Sequence, residues 1–212
     1  MLLYLLAAVL FLYGIKGLTH PRTAVRGNLI AAVGMLIAVI AVVVFELSEQ
    51  TGMAWVWWVA PGLIIGAIGG GLMATIVKMT DMPQMVGLLN GFGGVASLLV
   101  AGAEIVFNAG SLQRGIDLVG LAEMWPNGLA IAAACLIGAV TFTGSLVAAG
   151  KLQGVIGDAM AKLPGRQIIT IALFGVSIIL CGVFVFYPSN FIFWPLAAIA
   201  LVLGFFLVIP IG

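Results

Sequence analysis

The sequence predicts an all-α protein: a polytopic transmembrane helical bundle with about seven spans. Three observations carry that reading. Sixty-four percent of the 212 residues are hydrophobic and 7% are charged, far from the roughly 45–50% apolar and 25% charged of soluble domains. Apolar runs near the ~20 residues that a helix needs to cross a hydrocarbon core of about 30 Å occur again and again. None of them alternates with period two, and a helix satisfies its backbone within one segment, as a chain in lipid must. The runs cover 1–18, 28–47, 54–77, 84–107, 127–150, 168–187 and 191–210.

The first run is apolar from Met1 with no basic stretch ahead of it, so it reads as a span and not as a cleaved signal peptide. The connection behind it, THPRTAVRG, holds His20, the single histidine, close to a membrane surface. The third run opens on Trp55, Trp57 and Trp58, an interfacial belt. It also carries Gly66, Gly69, Gly70 and Gly71, small residues of the kind that let helices approach.

The fourth run follows MTDMPQ. Asp81 ahead of Pro83 has the pattern of a helix start, with an acid at the positive end of the macrodipole and a proline where no N–H is needed. Gly87, Gly91 and Gly94 recur at helical spacing as packing residues, and Asn90 beside them is expected to face protein. At the helical rise, Asn90 lies about 9 Å beyond Gln84, and Glu104 about 30 Å beyond it at the far edge of the membrane. In the fifth run, TFTGS places Thr141 near mid-bilayer and Ser145 one turn closer to Lys151, on one face. Such groups often serve only as polar glue or bond back to the preceding turn. Cys135 and Cys181 sit within apolar runs and read as small core residues. The chain ends on IPIG without a charged anchor, so a continuation beyond Gly212 is expected.

Eight Lys and Arg nearly balance seven Asp and Glu, which argues against a nucleic-acid partner. Lys16, Arg22, Arg26, Lys78, Lys151, Lys162 and Arg166 fall on one side of the alternating spans, and Arg114 falls opposite with Asp117 and Glu123. The positive-inside rule then puts the N-terminus outside. No metal-ligand cluster, nucleotide fingerprint, or nucleophile and base pair is present, so no catalytic, cofactor-binding or metal residue is assigned to this chain.

The strings GLTHPRTAVRGNLIAAVGM, MTDMPQMVGLLNGFGGVAS and GAVTFTGSLVAAGKLQG, with the LPGRQ behind them, closely resemble the beta subunit of proton-translocating NAD(P) transhydrogenase. The resemblance runs along essentially the whole chain. It implies the proton-conducting membrane part of a re/si-specific enzyme that couples inward proton movement to hydride transfer from NADH to NADP. It implies a multi-pass protein of the bacterial plasma membrane, an alpha subunit that supplies further helices and the NAD(H) domain, and a dimer of protomers. The last spans and the NADP(H)-binding domain of the family lie beyond what this chain contains. Carried over by position, Asn90 stands where many relatives have a histidine implicated in the proton path, and Ser145, with Thr141, belongs to the TFTGS segment. Asp81 and Gln84 match a polar pair at the cytoplasmic mouth. An amide takes up no proton near neutral pH, so Asn90 can position water while another group, such as a histidine on an alpha-subunit helix, is protonated. Two rival functions are a secondary transporter, which predicts an inverted repeat, and a purely structural membrane subunit.

Overall fold

The computed structural model describes residues 2–48, 56–113, 118–157 and 165–210. Met1, Trp55, Arg114, Asp117, Lys162 and Gly212 lie outside that set. The helices are α1 (Leu2–Leu18), α2 (Ala24–Ser48), α3 (Val56–Ile76), α4 (Met82–Gln113), α5 (Leu118–Leu152), α6 (Arg166–Phe186) and α7 (Asn190–Val208), with a 3-10 turn at Met79–Asp81 before α4. No strand occurs among the described residues. Among the described residues six helices are long and apolar enough to cross a membrane, and α1 is a shorter apolar helix.

Two compact units are formed, Met1–Thr75 and Ile76–Gly212. In the first, α1 and α2 form a hairpin. A Cβ built on Gly14 would stand 2.8 Å from the Ala31 Cβ and from the Gly27 carbonyl oxygen, and one on Gly17 would stand 2.7 Å from the Gly27 Cα. Backbone therefore meets backbone there, the contact that small residues permit between membrane helices. In α3 the expected packing of Gly66, Gly69, Gly70 and Gly71 is not seen. No described residue of another helix lies within 4 Å of a Cβ built at any of them, and α3 buries no residue. Small residues allow close approach but do not bring a neighbour to the site.

The second unit is a four-helix bundle centred on α5, which packs on α4, α6 and α7. One end is a dry core made by Ala101 and Ile105 of α4, Ile131, Ala132 and Cys135 of α5, Phe184 of α6, and Phe193, Leu196 and Ala197 of α7. The Phe184 and Phe193 rings lie 6.1 Å apart, and Phe193 meets Trp194 edge-on at 5.2 Å. Cys135 and Cys181 are both free thiols, and Cys135 is a full member of this core.

Helices α4 and α5 run past the apolar runs that predict them. Where the sequence suggests one long connection across 108–126, α4 continues to Gln113 and α5 begins at Leu118. Apolarity is required only within lipid, so a helix does not have to stop where its apolar run stops. Pro83 occupies the second position of α4, where the missing N–H costs nothing.

The other end of α5 closes with a left-handed glycine. Gly154 has φ of 72°, its N–H donates to the Lys151 carbonyl at 2.9 Å, and the Val155 N–H donates to the Gly150 carbonyl at 2.9 Å. These two bonds are those of a Schellman cap, which satisfies carbonyls that would otherwise be orphaned. The cap folds the chain back so that Ile156 covers Gly150.

Candidate functional site

The polar end of the four-helix unit lies at the start of α4 and the end of α5. A cleft of about 390 Å³ opens there, lined by Val77, Asp81, Gln84, Met85, Leu88 and Gln153. Asp81 closes the 3-10 turn through its N–H to the Lys78 carbonyl at 2.9 Å. Its carboxylate stays exposed, with the Thr80 hydroxyl 3.4 Å from Oδ1. Gln84 reaches across to α5, where Nε2 donates to the Leu152 carbonyl at 3.1 Å. That carbonyl belongs to the last turn of α5, where helix geometry leaves acceptors open, so Gln84 ties the mouth to the helix end.

Six residues further along α4, roughly 9 Å by helical rise, Asn90 Nδ2 donates to Ser145 Oγ at 2.9 Å. The approach depends on what flanks it. Gly87 faces Ala149, Gly91 faces Ser145 and Phe142, and Gly94 meets the backbone of Gly138 and Phe142 with the Thr141 Cβ beside it. At Gly94, where a Cβ would stand 2.7 Å from the Gly138 carbonyl oxygen, any side chain would hold α5 away from α4. Ser145 is buried between the helices, whereas Asn90 sits at the exposed rim of the seam. The expectation that Asn90 faces protein is therefore met only by its amide nitrogen. Thr141 is half-buried one turn away. Thr143, two residues on, bonds back to the Ala139 carbonyl at 3.1 Å and abuts Gly204 of α7.

The pair offers definite hydrogen-bonding chemistry. With Nδ2 committed to Ser145, Asn90 keeps Oδ1 as an acceptor and Ser145 keeps its hydroxyl proton as a donor. A water beside the pair can donate to one and accept from the other. That is the polarity a hydrogen-bonded water chain needs, and neither side chain has to ionise.

Two residues of the seam are not singled out by the sequence reading. Ser97 follows Asn90 by seven residues, two turns along the same face, and its hydroxyl lies 3.4 Å from the Ala134 carbonyl of α5. The seven-residue spacing was a usable signal. Gln153 joins the mouth only because the Schellman cap turns the chain there, which no periodicity reports. Gln84, Asn90 and Ser97 thus reach α5 at Leu152, Ser145 and Ala134 in antiparallel order.

A polytopic helical bundle that is dry at one end and carries amide and hydroxyl groups between two helices at the other is a membrane-embedded subunit with a polar intramembrane seam. The chain belongs to the NAD(P) transhydrogenase beta subunit family, whose model matches residues 1–212. Two curated relatives, both from Rhodospirillum rubrum and named NAD(P) transhydrogenase subunit beta, are each 34% identical over 216 residues. The alignment covers 99% of this chain and 43% of each relative, so the chain spans less than half of their length.

Proposed function

We propose that this chain lines the proton path of a proton-translocating NAD(P) transhydrogenase, coupling inward proton movement to hydride transfer from NADH to NADP. The observation that carries the reading is the Asn90–Ser145 hydrogen bond, with its spare acceptor and spare donor, about 9 Å inside a mouth that holds Asp81 and Gln84. Intramembrane polar groups that mark pathways face an interior or a water-filled cavity. An amide at the rim of the α4–α5 seam fits that rule once helices from outside α4–α7 cover it. Those helices, an alpha-subunit helix among them, bring the titratable group that an amide cannot be.

The NAD(H) and NADP(H) sites then belong to soluble domains on the side of the mouth, in a dimer of protomers in the bacterial plasma membrane. Coupling follows if the hydration of the seam differs between two states of the NADP(H) domain. Lys78, Lys151 and Arg166 gather at the mouth end of the four-helix unit, which supports a cytoplasmic mouth and an outside N-terminus.

The test is Asn90→Leu in the complete enzyme reconstituted into liposomes, with assembly checked first. Proton uptake driven by hydride transfer is read with an enclosed pH dye. A path role requires a large loss of coupled turnover, and unchanged coupled turnover in an assembled enzyme would falsify it.

A further inference from the structure

We propose that the turn between α1 and α2 is a binding site for the phosphate of an anionic phospholipid headgroup, held between Lys16 and Arg26. The turn encloses a cavity of about 440 Å³ whose lining includes Tyr13, Lys16, His20, Arg26 and Ile30. Neither cation has a carboxylate partner among the described residues. The reason lies in the sequence: no Asp or Glu occurs before Glu46, twenty residues beyond Arg26 and about 30 Å away by helical rise. Two cations therefore face one cavity, and neither α1 nor the first turns of α2 carries a carboxylate to neutralise them.

The frame around the cavity is fixed by hydrogen bonds. The Thr23 hydroxyl donates to the Gly17 carbonyl at 2.7 Å, which pins the turn to the end of α1. The Thr19 hydroxyl donates its one proton to the Lys16 carbonyl at 2.7 Å. His20 Nδ1, 3.1 Å from the same hydroxyl oxygen, must then be the donor to it, which fixes the ring against the turn. Gly17 and Gly27 meet backbone to backbone below.

An Arg guanidinium presents a planar fork to phosphate oxygens, and a Lys ammonium supplies a compact second charge. The location selects the lipid over a free anion. Tyr13 and Ile30 lie one turn further along apolar helices, so a phosphate seated between the cations has its glycerol and acyl chains continuing over an apolar surface. Basic pockets between helices on the positively charged side of a membrane are suited to such headgroups.

The test uses the complete enzyme, delipidated in detergent and titrated calorimetrically with short-chain phosphatidylglycerol, with short-chain phosphatidylcholine and with inorganic phosphate. Phosphatidylglycerol should bind in preference to the other two. The double variant Lys16→Gln/Arg26→Gln should weaken it about thirtyfold, at the usual worth of two cations near an anionic surface. Lys16→Arg/Arg26→Lys should restore most of the binding, which separates charge from folding. Arg22→Gln should leave the affinity within about twofold, because Arg22 does not line the cavity and surface attraction alone does not distinguish neighbouring cations. Equal binding of phosphatidylcholine, inorganic phosphate binding as tightly as the lipid, or an Arg22→Gln loss matching that of Arg26→Gln would each overturn the proposal.

Discussion

Gly94 of α4 and Gly138 of α5 meet backbone to backbone: a Cβ built on either would stand 2.7 Å from the carbonyl oxygen of the other. Backbone atoms cannot swing away as a side-chain tip can. Gly94→Ala must therefore push the helices apart, at a cost of about 1–3 kcal/mol for overpacking. Gly87→Ala meets the Ala149 Cβ and the Ser145 carbonyl at 3.5 Å and the Ala149 nitrogen at 3.8 Å, ordinary contacts, and it gains helix propensity of up to about 1 kcal/mol. Thermal unfolding in detergent should show a clear loss for the first substitution and none for the second. Equal losses would mean that the close approach is not there.

The Asn90–Ser145 bond should appear as a coupling energy. In a double-mutant cycle of Asn90→Leu and Ser145→Ala, the coupling expected for a hydrogen bond between membrane helices averages about 0.6 kcal/mol and reaches about 1.7. Additive effects on unfolding would show that the two side chains do not meet.

Gly154 terminates α5 at a φ of 72°, a conformation that costs a residue with a Cβ roughly 1–2 kcal/mol. Gly154→Ala should leave the membrane-embedded part of α5 intact while opening its end. Hydrogen exchange would rise at the N–H groups of Gly154 and Val155, which donate to Lys151 and Gly150, and would stay unchanged at Ala139. Uniform loosening along the helix would contradict a local cap.

The helices were legible because a lipid environment leaves the backbone few options, and long apolar runs declare it. Their ends were less so. Beyond the bilayer α4 and α5 continue through residues that no longer need to be apolar, so hydropathy loses its grip there. Within the seam, Asn90 and Ser145 each stood out as polar groups on a helix face, yet they are 55 residues apart. Pairing them requires the register between α4 and α5, which the Gly94–Gly138 contact sets and one chain's periodicity does not encode. The α3 glycines show the converse. Their spacing looks like an interface, but composition cannot name the partner that covers it.

The two ends of the four-helix unit differ in polarity and exposure, and the proposed path rests on that contrast. Asn90 lies at the rim, with the Asp81 and Gln84 cleft below it, whereas Ile105 is fully buried among Ile131, Phe184, Phe193 and their neighbours. Apolar cavities stay dry, and water needs two to four polar partners to enter. In the complete enzyme with Cys135 and Cys181 replaced by Ala, Asn90→Cys should react with a small water-soluble maleimide at least about tenfold faster than Ile105→Cys, since only the first position borders polar groups that hold water. A thiolate forms readily only where water solvates it, so the rate reports hydration and not merely space. If Asn90→Cys were as inert as Ile105→Cys in a correctly assembled enzyme, the seam would be dry and protons would have to cross elsewhere.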